Sequence, residues 1–130
     1  MKSIVICGSR RFDKEIGDFA QKLKDLGVVV YRPFFYRDSL GNWEGLSDYD
    51  KQLVAAGLTH DHFYKIRMAD VVFIFNQEDH IGVNTTMEMG YAAALNKPIY
   101  ALSGVDDEIG RKIIFSGFID NPKDLFKILQ

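Results

Sequence analysis

The run Ser3-Ile4-Val5-Ile6-Cys7-Gly8, then Asp13 to Leu26, then Val28-Val29-Val30-Tyr31, decides the fold class. The first run is apolar, β-branched and closed by a glycine, which predicts a buried strand. From Asp13 onward Ile16, Phe19, Ala20, Leu23 and Leu26 fall on one face at a 3.6-residue period, which predicts an amphipathic helix. Gly27 ends it, and the run through Tyr31 predicts a second buried strand. Strand, helix and strand on short connections are the signature of a parallel α/β sheet.

Working outward, Asp70 leads into Val71-Val72-Phe73-Ile74-Phe75, the most regular strand pattern in the chain. Pro98 to Leu102 predicts a fourth strand and Phe118-Ile119 a short fifth. Ser47 to Ala56 predicts a short helix capped by Ser47. A second helix is expected from about Thr59 to Ala69, with Phe63 and Ile66 facing inward. Another runs from about Thr85 to Leu95, Asp106 to Phe115 reads as helical, and Asn121-Pro122 caps a final helix. The expected architecture is a flavodoxin-like, doubly wound sheet of about five parallel strands with helices on both faces, as one domain over residues 1–130. Ligands in such folds bind at the carboxyl ends of the strands. That limits the chemistry to the loops after the first strand (Gly8 to Arg11), the second (residues 32–45) and the third (residues 76–84).

Composition narrows the class. A chain of 130 residues with 47% hydrophobic and 26% charged residues is an ordinary globular domain, not a disordered or collagenous one. Sixteen Lys plus Arg against 18 Asp plus Glu leave no basic stripe for a nucleic-acid polymer. The single cysteine, Cys7, excludes an internal disulfide and a multi-cysteine zinc site, and reads as a core thiol suited to a reducing cytosol. No stretch approaches the roughly 20 apolar residues of a membrane span, so a soluble cytoplasmic protein is expected.

In these loops and the helices beside them, four groups of residues could carry chemistry. Glu88 lies about a turn into its helix among Met, Ala and Gly, with no basic residue three or four positions away. A carboxylate in such a pocket can act as a nucleophile, or as an acid when its pKa is raised; the plain alternative is a solvated helix glutamate. Gly8-Ser9-Arg10-Arg11 offers backbone N–H groups, a hydroxyl and two guanidinium groups, a possible phosphate cradle. His60, Asp61, His62 and His80 are of metal-binding or proton-transferring type, but His60 and His62 point to different helix faces and no third ligand closes a site, so no metal is expected. The aromatics Phe34, Phe35, Tyr36 and Trp43 could stack a planar base, form a lid or make a dimer face. No GxGxxG, P-loop, GxSxG or HExxH pattern occurs.

Ala69-Asp70-Val71-Val72, the loop to Gly82, Thr85-Thr86-Met87-Glu88-Met89-Gly90-Tyr91-Ala92, Lys97-Pro98-Ile99 and the opening Cys7-Gly8-Ser9-Arg10 together resemble the nucleoside 2-deoxyribosyltransferase family. They also resemble its relatives, the deoxynucleoside 5′-monophosphate N-hydrolases. The resemblance implies a flavodoxin-like fold, a homo-oligomer and a glutamate that attacks C1′ of the sugar. Glu88 matches that nucleophile, and Gly8, Ser9 and Arg10 match the loop lining the base and phosphate region. Arg11, Gly82, Asn84 and Thr85 join them as expected substrate-binding residues.

Three positions depart from the family pattern. Val5 stands where a first-strand tyrosine is usual. The acid–base aspartate, eight residues before Asp70, is replaced by His62, with Asp61 adjacent. Gly82, six before Glu88, stands where Asp or Ser is usual. Asp120-Asn121 faintly resembles a segment that completes a neighbouring subunit's site. The expected function is cleavage of the N-glycosidic bond of a (deoxy)nucleoside or its 5′-monophosphate, with Glu88 as nucleophile and His62, or Asp61, handling the proton on the leaving base. The alternatives are a non-catalytic nucleotide-binding module and a related phosphoribohydrolase or NAD-cleaving glycohydrolase. No cofactor is implied, and the expected partner is a small nucleoside or nucleotide.

Overall fold

The computed structural model describes residues 1–37 and 41–130. Five strands, β1 (Ile4–Gly8), β2 (Val30–Tyr31), β3 (Val71–Phe75), β4 (Ile99–Ala101) and β5 (Gly117–Phe118), form one parallel sheet in the order β2-β1-β3-β4-β5. Among the described residues five α-helices accompany them: α1 (Asp13–Asp25), α2 (Asp48–Met68), α3 (Val83–Ala94), α4 (Ile109–Lys112) and α5 (Pro122–Leu129). This is the expected flavodoxin-like winding. The chain changes direction between β1 and β3, and the connections leaving their carboxyl ends diverge there. Cys7 pairs with Ile74 and Gly8 with Phe75 at that end.

The central strands β1 and β3 are buried on both faces, yet their side chains sort strictly. Ile4, Ile6, Val71, Phe73 and Phe75 join Ile16, Phe19 and Leu23 of α1 and Leu125 and Leu129 of α5. Val5, Cys7, Val72, Ile74, Ile99 and Ala101 meet Ile66 and Ala69 beneath α2, and Met89 and Ala92 of α3. Gly8 is needed where β1 leaves the sheet: a Cβ there would lie 2.9 Å from Ile16 Cδ1 and 3.3 Å from Phe75. At the opposite edge Asp70 accepts hydrogen bonds from Ser3 N (2.8 Å) and Ser3 Oγ (3.0 Å), a structural clip at the amino ends of β1 and β3. Just past β3, fully buried Asn76 donates to Ser103 O (2.8 Å) and accepts from Ser103 N (3.0 Å), joining the loops after β3 and β4.

Several boundaries differ from the sequence reading. The two helices expected at Ser47–Ala56 and Thr59–Ala69 are one, α2, capped by Ser47 Oγ on Asp50 N (3.1 Å). Gly57 does not break it: a mid-helix glycine costs only about 1 kcal/mol, and this one faces open space. The second strand is short and at the sheet edge, with Val29 59% exposed rather than buried. The Asp106–Phe115 helix shrinks to the single turn α4, because Ser103 and Asp106 side chains cap nearby amides and the apolar Ile109 and Ile113 are left exposed. α3 starts at Val83, two residues before the expected Thr85. The final helix is capped as expected, by Asn121 Oδ1 on Asp124 N with Pro122 in the first turn.

Candidate active site

Three elements place one side chain each at the carboxyl end of β1. Cys7 shares a sheet face with Val5 and so points toward α2 and α3. His62 lies six residues before the end of α2, about 9 Å back along the axis. Ile74, the partner of Cys7, lies about 10 Å along β3 from Val71. The helix therefore delivers His62 level with Cys7, one turn from inward-facing Ile66. Glu88 comes from the second turn of α3, one turn before Ala92 on the same buried side.

His62 Nε2 stands 3.2 Å from Cys7 Sγ and 3.4 Å from Glu88 Oε2. The imidazole is 5% exposed and the Glu88 side chain 17%, so Glu88 forms the rim and the other two the floor. Burial pushes the Glu88 carboxyl up to about 7, opposed by a hydrogen bond from the Cys7 thiol. Burial pushes His62 down to about 4, helped by the Lys65 charge and opposed by Asp61. The Cys7 thiol is raised well above its ordinary value by burial first and then by Glu88. His62 Nδ1 is buried without a hydrogen-bond partner among the described residues. At neutral pH the floor is thus uncharged, and Glu88 is poised between carboxyl and carboxylate.

The other sequence candidates separate around this centre. Asp61 points away from Glu88; its side chain is 45% exposed and pairs with Lys65 at 2.7 Å. His60 is exposed and meets the ring edge of Phe63, while His80 packs edge-on against Phe12. The four residues His60, Asp61, His62 and His80 do not converge. Among the described residues it is Cys7, His62 and Glu88 that bring three ligand-type atoms within 4.8 Å of one another. Cys7 was legible as a buried thiol but not as a neighbour of Glu88. Reading Cys7 on the Val5 face and His62 on the Ile66 face would have joined them.

The loop after β1 lies at the same sheet end. Ser9 Oγ accepts from Arg11 N at 3.4 Å, opening a 3₁₀ turn over Arg10–Phe12. Arg10 is exposed, and Arg11 pairs at 3.5 Å with Glu78 of the loop after β3. Gly82 precedes α3 with no side-chain cap, and the His80 Nε2 would lie 3.7 Å from a Cβ placed there. Thr85 is buried in the first turn of α3, Asn84 is exposed, and Thr86 Oγ1 donates to Gly82 O at 2.9 Å. Of the aromatic segment, Tyr36 packs edge-on against Trp43 and donates to Gly41 O at 2.6 Å. Asp38, Ser39 and Leu40 within it lie outside the described residues. No described helix is long and apolar enough to cross a membrane.

The family model for nucleoside 2-deoxyribosyltransferase matches residues 6–122. No curated protein matches the chain in sequence. Among solved structures, a 2-deoxyribosyltransferase from the psychrotolerant bacterium Bacillus psychrosaccharolyticus superposes with a TM-score of 0.67 at 18% identity, covering 95% of this chain and 90% of its own. A conserved protein from Enterococcus faecalis V583 gives 0.60 at 15% identity, over 98% of this chain and 96% of its own. At these identities the likeness speaks to the fold.

Proposed function

This chain belongs to the nucleoside 2-deoxyribosyltransferase family, and from that premise we propose that it cleaves the N-glycosidic bond of a (deoxy)nucleoside or its 5′-monophosphate through Glu88. The supporting observation is the position of that carboxylate, at the rim of a buried, uncharged floor and at the carboxyl end of β1. In its ionised form Glu88 attacks C1′ as the bond to the base breaks, giving a glycosyl ester through an oxocarbenium-like transition state. Water or a second base then takes the sugar and frees the carboxylate. A pKa near 7 leaves about half of Glu88 ionised at neutral pH, so the rate rises with pH through that value.

His62 takes a role different from the one expected of it. Buried behind Glu88 and neutral at pH 7, it does not protonate a leaving base; it is a positioning residue, holding the Glu88 carboxylate through Nε2. Asp61, turned outward onto Lys65, has no part in the step. Gly8, Ser9 and Arg10 bind the substrate at the phosphate end, with Arg11 beside them, and Gly82, Asn84 and Thr85 line the α3 side. The exposed Arg10 and Arg11 favour a 5′-monophosphate over a nucleoside.

The test is base release from ribo- and deoxyribonucleosides and their monophosphates, each with and without a second free base, beside Glu88→Gln. Release should fall by at least about 10³-fold in the variant, and dependence on the added base separates transfer from hydrolysis. Release that survives the substitution rejects Glu88 as the nucleophile. A panel with no turnover, in which a monophosphate still raises the unfolding temperature, would make the protein a nucleotide-binding module.

A further inference from the structure

We propose that Cys7, His62 and Glu88 form a reversible binding site for a borderline divalent metal ion, zinc foremost, in which the Glu88 carboxylate is one ligand. Their donor atoms all lie within 4.8 Å of one another, with His62 Nε2 at 3.2 Å from the sulfur and 3.4 Å from the carboxylate oxygen. Ligands about 2.0–2.3 Å from a tetrahedral zinc ion stand about 3.3–3.6 Å apart, so the two separations from His62 Nε2 need to change by only a few tenths of an ångström, and the sulfur and the carboxylate oxygen have to close from within 4.8 Å. Each comes from a different packed element, β1, α2 or α3, and is held by the core around it.

The donor set selects the metal. One thiolate, one imidazole and one carboxylate suit zinc or cobalt; magnesium and calcium favour an all-oxygen shell. Binding releases the thiol proton of Cys7, and that of Glu88 where it is present, to solvent. The imidazole ligates through Nε2, so its own proton sits on Nδ1. Among the described residues that nitrogen has no hydrogen-bond partner to orient the ring toward the ion. The site therefore holds its ion reversibly. Three protein donors leave a fourth position on the side where Glu88 is exposed, which is also the way in. A ligated Glu88 has surrendered its lone pair to the metal, so occupancy and glycosyl transfer exclude one another.

The test uses the metal-stripped full chain titrated with Co²⁺ in the absence of substrate. One equivalent should produce a sulfur-to-cobalt charge-transfer absorption, which Zn²⁺ then abolishes by displacement. Cys7→Ser should lose the band, and Glu88→Gln should weaken cobalt binding at least tenfold while keeping it. The near-isosteric Glu88→Gln decides the matter if Cys7→Ser fails to fold. No saturable band, or equal affinity in parent and Glu88→Gln, would overturn the site. This readout needs no turnover, so the site stands or falls separately from the glycosidic reading. Where base release is present, Zn²⁺ that fills the site without stopping it would overturn Glu88 as a ligand.

Discussion

On one face of the sheet Ile4, Ile6, Val71, Phe73 and Phe75 lock against α1 and α5 in a cluster that is hydrocarbon throughout. On the other, Val5, Cys7, Ile74 and Ala101 meet α2 and α3, and His62, Thr85 and most of Glu88 are buried with them. Phe19 stacks on Phe73 at 5.0 Å and meets Phe75 edge-on at 5.5 Å; on the other face the aromatic stack, Phe63 on Tyr91 at 4.5 Å, involves two partly buried residues at the edge of the cluster. The first face therefore supplies cohesion. The second gives up part of it to keep a carboxyl group, an imidazole and a thiol in a dry place, where desolvation moves each away from its charged form. Stability and chemistry are divided by the sheet itself.

The sharpest way to break that contrast is to truncate each face. Phe73→Ala should cost about 3–5 kcal/mol in urea unfolding, because a fully buried aromatic leaves a large cavity. Cys7→Ala on the opposite face removes one sulfur atom and should cost about 1 kcal/mol. Equal losses would mean that the second face is as tightly built as the first.

A smaller effect is a pair of opposed pH slopes, read with a chelator present. Glu88 titrates near 7 in the folded chain against an ordinary 4.5, so the folded state keeps a proton that the unfolded chain has released. Its contribution to stability falls as pH rises through that window, by about 1.4 kcal/mol per pH unit. His62 titrates near 4 against an ordinary 6.5, so the unfolded chain takes up a proton that the folded one refuses, and its contribution rises with pH. Between about pH 4.5 and 6.5 the two offset each other. Glu88→Gln should therefore leave a stability that climbs with pH, and His62→Gln one that falls. Urea midpoints across that range that move in the same direction in both variants would refute the shared floor.

The smallest effect is expected outside the contrast altogether. Asp61→Asn removes one partner of a surface pair four residues apart on α2 and should cost less than about 0.5 kcal/mol. Base release should stay within about twofold of the parent. A loss of an order of magnitude would return Asp61 to the proton-transfer role that the family pattern offers it.

The strand positions and the parallel α/β class follow from patterns that local physics makes visible. Ile4 to Cys7 and Val71 to Phe75 are long apolar runs, and Gly27 at φ +87° ends α1 where its spacing says it must. α2 was less legible because its first three turns stand clear of the core: Tyr49 and Leu53 are exposed, so no apolar stripe marks one continuous helix. Glu88 was found by its isolation among small and apolar neighbours. Cys7 was not, since an apolar run containing a cysteine reads as packing; His62 was reached only through the family pattern, as a proton donor to the leaving base rather than as a buried neighbour of the carboxylate. Their meeting depends on three elements arriving level with one another, which only the parallel register with Ile74 decides.

Asn76 carries a last consequence. By pairing its side-chain amide with both backbone groups of Ser103, it imitates one more rung of the β3–β4 ladder beyond the point where the strands part. Two loops that could drift independently are fastened into one plate beside the α3 amino terminus. Proton–deuterium exchange at the Ser103 amide is then governed by separation of the strands rather than by loop breathing. Adaptation to a guest molecule is left to the β1 side of the crevice, where the Ser9–Phe12 turn is tied across to the loop after β3 by the exposed Arg11–Glu78 pair at 3.5 Å rather than by a buried amide.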